Sequence, residues 1–290
     1  MIPDLIYDIG FHQGEDTAYY LFRGYRVVAV EADPGWVEAG RVRFEQEIES
    51  GLLTLLHAGI SDDEEIKPFW VCDTHPEWSS FDRTLASRQG SLCHSVEVPC
   101  STFGRLLKQY GVPYYLKVDI EGMEGACLRA LDRKELPAFA SVECSQESER
   151  ALVALDSNRV FGYRTISQIN FLPLETPFSR ETCQYLAWQH RLQSPALFWR
   201  MARRMGGRRW FEEKLAGFRR DGFWDFPFGS SGPFGDKTPG RWQPLDEMRE
   251  TLAFYRRLAA SGKAAPFWLA GEKGFWADIH IRFVQQECIF

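Results

Sequence analysis

The chain has 290 residues, 44% of them hydrophobic and 26% charged, with a formal net charge of −6 at pH 7. That length allows a substantial core, the composition excludes large-scale disorder, and the negative balance argues against a general nucleic-acid coat. No apolar run approaches the ~20 residues of a membrane span, and no basic segment followed by an apolar one opens the chain, so no secretory signal is expected.

"DLIYDI" (4–9) reads as a buried strand, "GEDTAYYLFRG" (14–24) as a helix closed by Gly24, and "YRVVAVEAD" (25–33) as a second strand. "PGWVEAGRVRFEQEIES" (34–50) has the period of one helix, with Pro34 at its start and Gly51 past its end. "LLTLLHAGIS" is a third strand running into a loop, and "KPFWVCD" and "HSVEVPC" form a hairpin-like excursion. "STFGRLLKQYG" is a helix with Ser101 as N-cap and Gly111 as stop. "PYYLKVDIEG" is a strand, "MEGACLRAL" a short helix and "FASVECS" a further strand. Strands separated by helices imply parallel pairing through right-handed crossovers, hence an open α/β sheet. After about Glu149 the rhythm loosens; "YRTISQIN" and "DIHIRFVQQ" read as strands, the latter returning antiparallel to the same sheet.

Three parts are expected: a core over 1–170, a helical and Gly/aromatic-rich insertion over 171–274 that shapes an acceptor site, and a final strand over 275–290. Between Arg200 and Arg220 the insertion carries eight basic residues against Glu212 and Glu213, with aromatic and aliphatic residues interleaved from Leu197. A solvated face over a core-facing stripe accounts for this; an anionic substrate, a membrane surface and nucleic acid are the alternatives. The seven cysteines are scattered, odd in number and without a C-x-x-C pair, which favours free thiols in a reducing cytoplasm over disulfides or structural zinc.

The loop "YDIGFHQGEDT" (7–17) follows the first strand, at the place where open sheets bind ligands. Its glycines, Gly10 and Gly14, are spaced Gly-x-x-x-Gly, not as the Gly-x-Gly-x-x-Gly that presses against a pyrophosphate. Asp8 disfavours a phosphate and suits a cationic group such as an amino acid's ammonium. Glu31, at the end of the second strand, stands where a carboxylate accepts from ribose hydroxyls. A ribose clamp and an ammonium loop without a phosphate site describe S-adenosylmethionine. Lys117, Asp119 and Glu121 alternate with apolar residues and emerge at a strand end. Buried charges at such density mark a site, or an ion pair closing the strand.

"YDIGFHQGEDTAYY", "YRVVAVEADP", "HAGISD" and "YYLKVDIEGMEGACLRAL" resemble, in order and spacing, the signature blocks of FkbM-type S-adenosylmethionine-dependent methyltransferases. The resemblance covers residues 4–145 and continues more weakly at "FGSSGPFGDKTPGRW" and "GFWADIHIRF". It implies a Rossmann-like class I methyltransferase sheet, mostly parallel with a late antiparallel strand. The implied activity is O-methylation of a sugar, glycan or secondary metabolite. It also implies that Asp8, Gly10 and Gly14 form the methionine side of the cofactor site; Phe11, His12, Thr17, Ala32 and Asp119 are further candidate cofactor contacts. Glu31 would accept from the ribose, and Gly59, Ile60 and Ser61 would lie near the adenine. Two departures stand out: Phe11-His12 replaces the usual Ala-Asn, and "VECSQ" offers Glu143 without the histidine many members carry.

Asp119 is the first candidate for the base that takes the hydroxyl proton and Glu121 the second, followed by His12, His75 and His280. The two carboxylates could instead hold a divalent metal, which is not the expectation. His75, Ser80, Ser230, Ser231 and His280 are candidate acceptor contacts. The partner is expected to be a small-molecule or glycan acceptor; nucleic acid is not expected. Methylation of nucleic acid or a nitrogen is the runner-up enzyme reading, although "DIEG" replaces the Asn/Asp-Pro-Pro-aromatic signature of base methylation. A non-catalytic nucleoside-binding protein is the non-enzyme alternative.

Overall fold

The computed structural model describes residues 1–131, 135–156, 160–168, 171–180, 182–184, 187, 196–202, 204–205, 220–227, 229–260 and 276–284. The apolar run before Asp8 forms β1 (Ile2–Ile9), its last five residues buried, as a central parallel strand covered on both faces requires. Helix α1 (Glu15–Phe22) leads to β2 (Arg26–Glu31), and α2 (Pro34–Arg43) and α3 (Glu45–Glu49) lead to β3 (Leu53–His57). After a short β4 (Gly59–Ile60), β5 (Ile66–Cys72) and β6 (Cys93–Ser101) pair antiparallel, with β4 parallel to β6. A four-residue helix α4 (Arg83–Ala86) lies within that excursion. Then come α5 (Phe103–Tyr110), β7 (Pro113–Val118), α6 (Glu124–Arg129), β8 (Phe139–Glu143) and α7 (Gln146–Asp156). Beyond them are β9 (Val160–Ser167), α8 (Leu197–Ala202), the short pair β10 (Arg220–Asp221) and β11 (Trp224–Asp225), α9 (Leu245–Ala260) and β12 (Ala277–Phe283).

Seven strands form the main sheet in the order β3-β2-β1-β7-β8-β12-β9. The pairs β3–β2, β2–β1, β1–β7 and β7–β8 are parallel. The Phe283 amide at the end of β12 donates to the Ala138 carbonyl just before β8, and the Gln168 amide just after β9 donates to Trp276 just before β12. End meets beginning in both cases, so β12 is the antiparallel strand. The chain winds outward through β2 and β3 and returns to β7 on the other side of β1, which makes the β1/β7 carboxyl ends the switch point.

Three local features differ from the sequence expectation. The helix over 34–50 is two helices, because Phe44 (φ −116°, ψ 30°) leaves helical backbone angles, though its amide still donates to the Gly40 carbonyl, and buries its ring 5.8 Å from Phe11. The cap of α5 is Thr102, whose Oγ1 accepts from the Arg105 amide, while Ser101 stays in β6 opposite Ile60. Helix α7 has a reciprocal cap, in which the Ser145 amide donates to Ser148 Oγ and the Ser148 amide to Ser145 Oγ. Its buried stripe is narrow (Ser148, Leu152 and Leu155), so its period is faint in the sequence.

The chain divides into two compact units, Met1–Phe161 with His280–Phe290, and Gly162–Ile279. Within the second, Arg164 donates to the Thr238 carbonyl at 2.7 Å and lies over the Trp242 ring, and Tyr255 donates to the Glu175 carbonyl. Of the basic stretch, Arg200, Arg204 and Arg220 are described, and Arg220 pairs with Asp225; its other basic residues lie outside the described residues. The six described cysteines are free thiols, and no helix among the described residues is long and apolar enough to cross a membrane.

Candidate active site

Two strand ends meet at the switch point because Gly10 has no side chain. A Cβ there would lie 1.9 Å from the Asp119 carbonyl oxygen, and its φ of +93° is one that glycine tolerates best. The Gly10 and Phe11 amides donate to the Val30 carbonyl and the Asp119 amide to Ile9, so the loop is tied to both neighbouring strands. Gly14 begins α1 at φ +78°, against the Phe11 and Phe44 rings.

At the centre is Lys117, opposite Asp8 in the β1–β7 register and buried. Its Nζ lies 3.1 Å from Asp8 Oδ1, 3.8 Å from Asp16 Oδ2 and 3.9 Å from Asp119 Oδ2, and donates to the Gly10 carbonyl at 2.6 Å. Burial works against its charge, but Asp8, Asp119 and Asp16 outweigh it and push the ammonium's pKa above the ordinary lysine value. Asp8 is completely buried and accepts from Thr17 Oγ1 at 2.6 Å through its other oxygen. Its carboxylate therefore holds the loop to the strand. Asp119 keeps a quarter of its side chain exposed.

Glu31 is buried, and its two oxygens accept from the His12 amide at 2.7 Å and the Asp33 amide at 2.8 Å, with Ala32 between. Burial raises its pKa to about 7 despite those bonds. His12 has a φ of +50°, a conformation in which histidine is enriched, and its ring lies 4.8 Å from that of Trp36. Gly59 and Ile60 are β4; Ser61 follows, buried, its amide donating to Ser101 and its hydroxyl to Asp63.

The β5–β6 excursion reaches the end of β7. Ser80 Oγ donates to the Glu121 carbonyl at 2.8 Å, and Arg88 grips the Glu121 carboxylate with a fork of 2.8 and 2.9 Å. The Arg88 guanidinium lies over the Trp78 ring, on which His75 stacks at 4.1 Å. Burial raises the Glu121 pKa, against the opposing effect of Arg88. Asp8, Gly10, His12, Gly14, Thr17, Glu31 and Asp119 thus gather at one place, with Ser80 and Glu121 joined to its edge. Ser230 and Ser231 are buried in the second unit, where the Gly232 amide donates to Ser230 Oγ, and His280 is buried on β12. Among the described residues no group of three His, Cys, Asp or Glu side chains is placed to hold a metal ion.

Three contributors escaped the sequence reading. Asp16 lies in the first turn of α1, where an acid is ordinary, and nothing in the excursion's sequence marks Arg88. Glu124 had a signal, as an acid between two glycines directly after the charged strand end. It is fully buried; Oε1 accepts from the Gly122 amide at 3.1 Å, and Oε2 has no hydrogen-bond partner among the described residues. Burial raises its pKa from 4.5 to about 7. The raised folded value means that its contribution to stability is fully present below about pH 4.5 and is lost as pH rises through about 7. Glu124→Gln is expected to match wild type near pH 4 and to exceed it by about 1–3 kcal/mol near pH 8, read from urea midpoints. A stability difference that stays constant across that range would refute this.

The model of the methyltransferase FkbM domain matches residues 8–164, more than half of the chain. A comparison with curated proteins gives no match. Among solved structures, a methyltransferase FkbM from Methylobacillus flagellatus KT is 16% identical with a TM-score of 0.38, over 54% of this chain and 38% of that one. The StiE O-MT structure (residues 961–1257) is 7% identical with a TM-score of 0.37, over 98% of this chain and 69% of that one. The [4+2]-cyclase SpnF is 9% identical with a TM-score of 0.35, over 98% and 76%. The matched domain begins at Asp8 and runs through Glu31, Lys117 and Asp119 into β9, so the chain belongs to the FkbM methyltransferase family.

Proposed function

We propose that this protein transfers a methyl group from S-adenosylmethionine to a hydroxyl of a sugar, glycan or secondary metabolite. The observation that carries the reading is the charge at the β1/β7 switch point, where one buried ammonium faces three carboxylates. The surplus negative charge suits a ligand with a sulfonium and an ammonium and disfavours a phosphate. Glu31, on the adjoining strand, has two anchored oxygens with lone pairs to spare for a ribose diol. The donor set therefore fits the cofactor.

In this reading Gly10, Phe11, Gly14 and Thr17 shape the loop around the methionine end, with Asp8 holding them from behind. Gly59, Ile60 and Ser61 border the adenine. Once bound, the cofactor supplies an electrophilic methyl and a neutral thioether leaving group. Asp119, the carboxylate left partly exposed, contributes fixed negative charge beside it. Glu121, gripped by Arg88, sets the shape of the turn. Holding the two reactants in register contributes up to ~7–11 kcal/mol of the barrier.

Calorimetry with S-adenosylmethionine tests the reading. Wild type is expected to bind at micromolar concentrations, and Glu31→Ala to bind on the order of 10²-fold more weakly, having lost charge-assisted bonds to the ribose. Failure of wild type to bind at high micromolar cofactor would reject it. For the acceptor, a panel of glycans and hydroxylated metabolites is expected to yield a product heavier by one methyl. A gain confined to DNA or RNA would reject the hydroxyl acceptor.

A further inference from the structure

As the acceptor oxygen bonds to carbon, its proton needs a destination. We propose that His12 Nε2 takes that proton, with Glu15 orienting the imidazole. This rests on the methyltransferase reading above and adds the residue that moves the proton.

The geometry has four parts. The His12 amide is fixed on Glu31 at 2.7 Å in a left-handed backbone conformation, so the direction in which the side chain leaves the loop is tied to the ribose carboxylate. The ring rests against Trp36. Nδ1 lies 3.9 Å from Glu15 Oε2 on the first turn of α1. Nε2, on the opposite edge of the ring, is buried and has no hydrogen-bond partner among the described residues. A carboxylate 3.9 Å from one nitrogen, beyond direct hydrogen-bond reach, still favours by its charge the tautomer with the proton on that side and leaves the other nitrogen's lone pair bare, the arrangement a base requires.

The charged groups that act on the ring are Glu15 from α1, Lys117 and Asp119 at the end of β7, and Glu77 from the excursion, while α2 contributes the uncharged Trp36. Burial is the strongest influence and lowers the pKa; Glu15, Asp119 and Glu77 oppose it and Lys117 reinforces it, leaving the ring neutral near pH 7. The alternative bases at this end each have a cation close by. Glu121 is in the Arg88 fork, and Asp119 lies 3.9 Å from Lys117.

The step balances. The acceptor oxygen forms a bond to the methyl carbon as the carbon–sulfur bond breaks, and that electron pair stays on the sulfur. The hydroxyl proton passes to Nε2, giving an imidazolium beside Glu15, and then leaves to solvent.

The first test needs no acceptor. In nitrogen-15 histidine spectra of the full ligand-free chain, assigned with His12→Asn, His12 is expected at pH 7 as a neutral ring protonated on Nδ1. Glu15→Gln should shift it toward the other tautomer. A His12 protonated on Nε2 at pH 7 would overturn the proposal.

With an acceptor in hand and turnover read at saturating cofactor, His12→Asn is expected to lose about 10²–10⁴-fold in kcat, together with the acid limb of the pH–rate profile. Turnover within about tenfold of wild type, with that limb intact, would overturn it. If His12→Asn does not fold, Glu15→Gln decides: a shifted tautomer with slower turnover supports the proposal, and unchanged turnover defeats it. Wild type that cannot bind S-adenosylmethionine defeats the underlying function; normal binding with normal His12→Asn turnover defeats this proposal alone.

Discussion

Replacing Lys117 with methionine is expected to destabilise the fold by about 3–5 kcal/mol, the range for removing one side of a buried ion pair. Methionine fills the space, so the loss is electrostatic. Asp8 and Asp16 are left buried without their cation, and the Gly10 carbonyl loses its donor. Urea denaturation gives the magnitude. The double variant Lys117→Met/Asp8→Asn should recover part of the loss, because it removes the carboxylate closest to the missing ammonium, and the double-mutant cycle isolates their coupling. A loss below about 1 kcal/mol would mean that the cluster is solvated and that Lys117 is a surface-like charge.

Gly10→Ala is expected to cost a similar amount, about 3–5 kcal/mol, at the upper end of single-substitution effects. Two contributions combine. A φ of +93° strains any L side chain, and the new methyl would stand 1.9 Å from the Asp119 backbone oxygen and 3.2 Å from Ile120 Cγ2. The obstacle cannot rotate away, since it is main chain tied to β1 through the Asp119–Ile9 bond. Gly24→Ala is the control: its φ is +83°, but nothing lies within 4 Å of the added atom, so only the backbone strain of about 1 kcal/mol applies. Equal losses at the two sites, compared by denaturation midpoint, would show that strand-end contact does not matter.

The fold was largely legible because parallel strands buried on both faces leave unbroken apolar runs, such as Val27–Val30, and charged residues then mark where the runs end. The same logic singled out Asp8, Glu31, Lys117 and Asp119, whose neighbours in sequence are apolar. Which carboxylate meets which cation was not legible. The Asp8–Lys117 pairing follows from the register of two strands more than a hundred residues apart, and Arg88 reaches Glu121 only because the excursion folds back over β7. The break at Phe44 was hidden for a related reason. The local helical period continues through it, and only the tertiary position of Phe11 favours turning the ring inward. His12 could be noticed as a departure from the usual loop, but its bare Nε2 and its nearness to Glu15 are properties of the folded loop.

The charge cluster also bears on how the sheet finds its alignment. Asp8 stands opposite Lys117, with Tyr115 two residues before it on β7 and Asp119 two residues after it, just past the strand's end. Slippage of β7 by two residues keeps every side chain on its proper face, so the hydrophobic pattern alone barely penalises it. The slipped chain would set Asp8 against Asp119, or against the Tyr115 ring, in a layer closed to water, and would leave a carboxylate uncompensated there. The residues that give the candidate site its charge thereby act as a proofreading device for strand alignment, rejecting a misaligned sheet that apolar packing would have accepted.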